Sequence, residues 1–228
     1  MLTTLPAGYS FCAVAALALL DRPADQTGPG VDGEGPALRR GISDRPALVK
    51  WLAARSFAYA EPPDAADEDP ENFLQPPALS ALDLPEGAPA HVGYNGRCNK
   101  VADTCYCWWV GGTLSILGEP NQLRVPASRR FLLERTQHLI GGFAKHPGGP
   151  PDIYHAYLGL AALATMGEPG LKGFDPTLCI SSETVRKMGS ARGGLLARGD
   201  GAGKAEEGVL AMGLELLGRQ PDWLVPVR

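Results

Sequence analysis

Apolar residues recur at helical spacing along most of the chain, and no alternating strand pattern competes with them. Gly8 to Leu20, rich in Ala and Leu, predicts a helix closed by Asp21-Arg22-Pro23. Residues 24–45 are rich in Gly, Pro and Asp and read as a loop. Leu48, Trp51, Leu52 and Arg55 then predict a helix over Arg45 to Phe57. Prolines and acids dominate residues 59–92, which read as a solvated, flexible insertion within one domain of residues 1–228. Helices are predicted again at about 103–117, 128–139, 152–166 and 204–218, with Gly/Pro turns between them.

The pattern repeats. Shifted by 49 residues, Gly93 falls on Gly142, Tyr94 on Phe143, Asp103 on Asp152 and Tyr106 on His155, and Gly118-Glu119-Pro120 falls on Gly167-Glu168-Pro169. A shift of 97, about two repeat lengths, lays Tyr9 on Tyr106, Leu17 on Leu114 and Pro23 on Pro120. Helix pairs repeating at this length cannot bury their apolar faces singly, so they stack into a solenoid or close into a ring.

Composition narrows the function classes. A chain of 228 residues with 44% hydrophobic content can bury a sizeable core. Its formal net charge of −4 is unevenly placed: residues 56–96 hold eight acids and no Lys or Arg, so the remainder is mildly basic. That balance suits an anionic small molecule; with no basic stripe interleaved with aromatics, nucleic acid is not an expected partner. Five cysteines without a secretory context point to reduced thiols and a cytoplasmic protein. The apolar run Phe11 to Leu20 is too short to span a bilayer.

The candidate chemistry lies in Gly93-Tyr94-Asn95-Gly96-Arg97-Cys98-Asn99-Lys100, which runs into Asp103-Thr104-Cys105-Tyr106. Asp103 and Cys105 would point apart inside a regular helix. They can share a metal only if Asp103 is an N-cap and Cys105 lies in the first turn. His155, three residues after a second potential cap at Asp152, would project from the equivalent turn of the next repeat. A carboxylate, a thiol and an imidazole leave one tetrahedral zinc position open, as in a catalytic site. A cap Asp, a packed Cys and a structural His account for the same residues, and spacing alone leaves both readings open. Cys107 should face away from Cys105 into the core, and Cys98, Cys12 and Cys179 are also read as core. Arg97, Lys100 and Lys145 could converge on one phosphate-like group near the helix starts. Tyr9, Tyr106, Trp108 and Trp109 form an aromatic set that is either core or the lining of a long apolar ligand site.

These motifs, with Trp109-Val110-Gly111-Gly112, Gly141-Gly142-Phe143-Ala144-Lys145, Asp152-Ile153-Tyr154-His155-Ala156-Tyr157 and Asp175-Pro176-Thr177-Leu178, resemble the β subunits of protein prenyltransferases, most of all geranylgeranyltransferase type I. The resemblance covers about residues 7–20, 46–57 and 93–185. It implies an all-α, α–α toroid fold and a heterodimer with a prenyltransferase α subunit. The implied reaction joins the C20 group of geranylgeranyl diphosphate to the cysteine of CaaX-type C-terminal peptides of small GTPases. On that likeness Asp103, Cys105 and His155 bind Zn2+. Arg97 and Lys100 hold the diphosphate, with Tyr106 assisting. Tyr9, Cys12 and Trp109 line the lipid channel, and Asp152 and Tyr154 flank the peptide. Lys145 stands where farnesyl enzymes carry a magnesium-binding Asp, so Mg2+ is not expected.

Two departures matter. The family's β subunits have several more helices ahead of the point matching Met1, so a partial ring and an N-terminally truncated chain are the expectation. Pro6 stands where the His of a His-x-Gly-Tyr motif is usual. Farnesyl- or Rab-directed β subunits, and a catalytically incomplete helical-repeat binding module, are the alternatives. Terpene cyclases share the architecture but need no Asp-x-Cys…His set.

Overall fold

A computed structural model describes residues 6–22, 35–59, 91–98 and 100–199; the helix expected at 204–218 and most of the insertion lie outside the described residues. Three helices form the inner layer: α1 (Ala7–Asp21), α4 (Thr104–Ile116) and α6 (Ile153–Thr165). Along the chain they are interleaved with α2 (Pro36–Gly41), α3 (Arg45–Ala53), α5 (Val125–Arg130) and α7 (Ser182–Gly199). Helix α4 packs between α1 and α6. It is apolar nearly all round and buries Cys107, Trp108, Val110 and Leu114 at 1% exposure or less. Each such large side chain contributes about 1.5–3 kcal/mol on burial.

The sequence repeat is a structural repeat. Asp103 and Asp152 have extended backbones, and their side chains accept the N–H of Cys105 and His155 respectively, so both inner helices start at the predicted caps. Both also end alike. The Glu119 N–H donates to Leu114 O (2.8 Å) and the Glu168 N–H to Leu163 O (3.0 Å). Gly118 and Gly167, at φ +72° and +80°, supply the left-handed turn these endings require. Each Gly-Glu-Pro glutamate then reaches an arginine of the outer layer, Glu168 to Arg129 at 2.5 Å and Glu119 to Arg45 at 4.0 Å.

The structure corrects several boundaries. The expected 24–45 loop contains α2, whose N-terminus is capped from a distance by the Asp21 carboxylate, which accepts the N–H groups of Ala37 and Leu38. Helix α3 stops at Ala53, whose carbonyl accepts from Ser56 Oγ (2.7 Å), and Phe57 belongs to a strand. The helix expected at 128–139 runs instead from Val125 through α5 and a widened turn, Phe131–Thr136, because Pro126 presets its first turn. Leu139 and Ile140 are therefore fully exposed in a turn. Three antiparallel ribbons appear where no strand was expected: β1 (Ser56–Ala58) with β2 (Val92–Tyr94), β3 (Phe143–Ala144) with β4 (Pro151–Asp152), and β5 (Phe174–Asp175) with β6 (Ile180–Ser181). Strands of two or three residues are too short to show alternation. The first ribbon continues through the Tyr59 N–H to His91 O (2.7 Å), the two ends from which residues 60–90 depart. The end of helix α1 is tied to β5 by a buried ion pair, Arg22 to Asp175 at 2.5 Å.

Candidate metal centre

The first repeat delivers its pair of groups through a braced loop. Tyr94 is buried, with Ser128 Oγ donating to its hydroxyl (3.2 Å). Asn95 Nδ2 donates to Lys100 O (2.9 Å), tying the loop end to its start. Gly96 is required by close approach: a Cβ there would lie 2.2 Å from the Tyr106 ring. The loop thus turns back over Tyr106, and the Asp103 N–H donates to Tyr94 O (3.0 Å). Asp103 Oδ1 accepts the Cys105 N–H (2.8 Å), which curls both side chains to one side of the helix start.

The second repeat delivers His155. Asp152 Oδ1 accepts the His155 N–H (2.8 Å) and Oδ2 accepts from its Nδ1 (2.5 Å), so the ring presents Nε2. Nε2 lies 3.3 Å from Asp103 Oδ1. Ligand atoms of Asp103, Cys105 and His155 all fall within 4.8 Å of one another, and all three residues are buried. A segment of the second repeat is stitched to the first around this cluster. Thr104 Oγ1 donates to Ala144 O (2.6 Å), the Thr104 N–H to Lys145 O (3.0 Å), and His146 Nδ1 to Ala102 O (2.6 Å).

This donor set fits zinc. Zinc–ligand bonds of about 2.0–2.3 Å give tetrahedral edges of about 3.3–3.7 Å, matched by the 3.3 Å Asp103–His155 separation. Mixed O, S and N donors suit zinc and do not suit the hard cations magnesium and calcium. The Asp152–His155 contact is the outer carboxylate that orients a ligating imidazole.

Burial, then the charge of Asp103 and a hydrogen bond to it, pushes the metal-free Cys105 thiol far up, so the cluster lacks a thiolate until a cation arrives. Burial alone would lower the His155 pKa and raise that of Asp103. Their mutual hydrogen bond, with those that Asp152 accepts from His155 and those between Asp103 and Cys105, outweighs burial in both cases. The imidazole therefore sits above its usual value and the Asp103 carboxyl below it.

The other predicted residues surround the cluster unevenly. Arg97 and Lys100 are exposed on the loop ahead of α4, and Lys145 is beside Thr104 through its backbone. The half-buried Tyr106 lies over Gly96. Tyr9 is 64% exposed on α1 and Cys12 is exposed on the same helix, whereas Trp109 packs on Phe11 with ring centres 5.1 Å apart. Trp109 Nε1 donates to the Tyr154 hydroxyl (3.3 Å). That hydroxyl also hydrogen-bonds Cys105, and burial followed by the Cys105 charge raises its pKa to about 12. Tyr154 therefore stands beside the cluster as well as at its rim. Cys107 is fully buried as expected, but Cys12 and Cys98 are exposed and Cys179 only half-buried, so these three are not core. Cys98 instead accepts from Arg55 Nη1 (3.3 Å).

The grip of Asp152 on His155 was not anticipated, although an Asp three residues before a His at a helix start is its signal. Comparison with known proteins shows the family. The prenyltransferase alpha-alpha toroid domain is matched over residues 6–180. The chain belongs to the prenyltransferase α–α toroid family. Its relatives there are β subunits of protein prenyltransferases. It is 42% identical over 86 residues to the geranylgeranyl transferase type-1 subunit beta of Arabidopsis thaliana, covering 38% of this chain and 23% of that one. It is 34% identical over 110 residues to the geranylgeranyl transferase type-2 subunit beta of Saccharomyces cerevisiae, covering 48% and 32%. The solved structure of Candida albicans protein geranylgeranyltransferase-I complexed with GGPP superimposes with a TM-score of 0.54 at 27% identity, covering 81% of this chain and 43% of that one. The matched stretches thus span a quarter to a third of these curated relatives. In this member of the toroid family α4 packs between α1 and α6, and the candidate metal-binding cluster lies at the N-terminal ends of α4 and α6.

Proposed function

We propose that this chain is the metal-binding part of a type I protein geranylgeranyltransferase β subunit, acting with an α subunit on cysteine thiols near protein C-termini. The observation that carries the reading is the Asp103–Cys105–His155 cluster with His155 oriented by Asp152. The type-1 relative and the geranylgeranyltransferase-I structure support the C20 specificity. Lys145, in place of an acid, supports magnesium independence.

Zinc, when bound, supplies a site at which the substrate thiol ionises at neutral pH. The protein's own residues do the rest. Arg97 and Lys100 neutralise the diphosphate, and the Lys145 ammonium adds a third positive charge. The Tyr106 hydroxyl donates toward the same oxygens. As the thiolate sulfur bonds to C1 of the isoprenoid, the C1–O bond breaks and its electron pair leaves with the diphosphate. Tyr9, Cys12 and Trp109 form an apolar wall for the chain, and Tyr154 bounds the thiol site.

The test is metal analysis with prenyl transfer after co-expression with an α subunit. One zinc per chain, lost in Cys105→Ala and His155→Ala, and a preference for geranylgeranyl over farnesyl diphosphate are expected. Metal-free protein that folds and binds a partner refutes the enzyme reading, and a farnesyl preference refutes the type I assignment.

A further inference from the structure

The three candidate ligand side chains belong to two repeats whose helices α4 and α6 pack on one another, and polar contacts cross between the repeats beside the site. Asp103 and Cys105 ride on the start of α4, and His155 rides on the start of α6. Between them lies the segment Phe143 to His146, whose strand β3 pairs with β4 so that Phe143 faces Asp152. Asp152 is in turn bonded to His155 through Oδ1 and Oδ2. A continuous chain of bonds therefore connects His155 to the 143–146 segment. Whether that segment moves with Asp103 and Cys105 depends on its link to residues 102–104.

That link is made by a backbone bond, from the Thr104 N–H to Lys145 O at 3.0 Å, and by two side chains. Thr104 is completely buried, and its hydroxyl donates to Ala144 O at 2.6 Å. His146 donates from Nδ1 to Ala102 O at 2.6 Å, while its Nε2 is buried without a partner. An acceptor carbonyl at Nδ1 requires the proton there, so this one bond holds the ring. The two side chains bracket Asp103 from Ala102 and from Thr104. We infer that Thr104 and His146 are positioning residues: a clasp across the repeat boundary that fixes the separation of the Asp103–Cys105 pair from His155 and so sets metal affinity. This rests on the zinc reading of the cluster.

Neither residue belongs to the set whose ligand atoms lie within 4.8 Å of one another, which is Asp103, Cys105 and His155. Their effect is geometric. A donor displaced by a fraction of an ångström loses its place on a tetrahedral edge of about 3.3–3.7 Å, and loss of such outer contacts weakens metal binding about 10- to 100-fold.

The experiment uses the full chain, zinc affinity by chelator competition, and the visible absorption of the cobalt-substituted protein. Thr104→Val keeps the shape and removes the hydroxyl; Thr104→Ser restores it. His146→Leu removes the donor; His146→Asn returns an N–H at the same level. The Val and Leu variants are expected to lose about 10- to 100-fold in zinc affinity and to shift the cobalt bands, with both conservative variants near wild type. His146 is only partly buried, so His146→Leu remains informative if Thr104→Val does not fold. Variants that melt earlier without metal yet bind zinc with unchanged affinity and cobalt spectrum overturn the inference and leave the zinc reading standing. Wild-type protein that binds neither metal overturns both.

Discussion

Replacing Asp152 with Asn separates two tasks that one carboxylate performs. Oδ1 caps α6 by accepting the His155 N–H, and Oδ2 holds the imidazole through Nδ1. Asn caps as well as Asp, so the helix start should survive. The uncharged amide, however, binds Nδ1 more weakly and can offer it an N–H, favouring the tautomer in which Nε2 carries the proton and cannot ligate. Losing an orienting carboxylate costs 10- to 100-fold in metal affinity. The Asp152 side chain is 47% exposed, so solvent screens its charge and the lower end applies, about tenfold or ~1.4 kcal/mol. Asp152→Ala should show the same loss of affinity and, without the cap, a further loss of about 1 kcal/mol in metal-free stability. Chelator competition reads the first quantity and urea denaturation the second. An Asn variant that binds zinc as tightly as wild type would refute the orienting role, and one as unstable as Ala would refute the separation.

Zinc affinity should rise with pH, because burial and Asp103 keep the metal-free thiol protonated and binding must displace that proton. Each proton released is worth about tenfold per pH unit, and calorimetry in buffers of differing ionisation enthalpy should count at least one; none would exclude Cys105 as a ligand. Lys145→Asp should cost the reconstituted enzyme about 10²-fold in rate without magnesium and restore much of it with magnesium. Equal rates of that variant with and without magnesium would count against the role of Lys145. Arg22→Met leaves the Asp175 carboxylate, 4% exposed, without its counter-ion while Oδ1 still accepts the N–H groups of Thr177 and Leu178, and should destabilise the protein by about 3 kcal/mol in urea titration. A loss below 1 kcal/mol would show that solvent reaches the pair.

What could be read from the residues was whatever the repeat wrote twice. Asp103 and Asp152 as caps, Gly118 and Gly167 as stops, and His155 at the level of Tyr106 all follow from one 49-residue offset. The repeat left a solenoid or a ring, and a metal site or structural residues, both open; the toroid and the Asp103, Cys105 and His155 ligand set came from the family resemblance. Features built from distant partners were hidden. The cap of α2 comes from Asp21, earlier in the chain; β1 finds its partner beyond the 60–90 segment; and the Thr104 and His146 bonds end on carbonyls, which no side-chain pattern reports. The exposure of Cys12 and Cys98 was missed for a related reason. Cys12 lies on the exposed side of α1 and Cys98 on the loop ahead of α4, and the side that an isolated cysteine takes on its element is set by tertiary packing.

The β1–β2 ribbon has a practical consequence. Its last bond, from the Tyr59 N–H to His91 O, closes a neck below the 31 residues numbered 60–90. For a flexible insert closed by such a neck, length enters the free energy only through a logarithm, about 0.6 kcal/mol for each doubling. The ribbon's inner end, Tyr94, is the one that leads into the loop ahead of the Asp103–Cys105–His155 cluster. The neck therefore isolates the chemistry from length changes on its far side. It is a natural port for grafting: a reporter domain, an affinity handle or a shortened linker can be exchanged between Tyr59 and His91 while the register Ser56 to Tyr94 stays as it is.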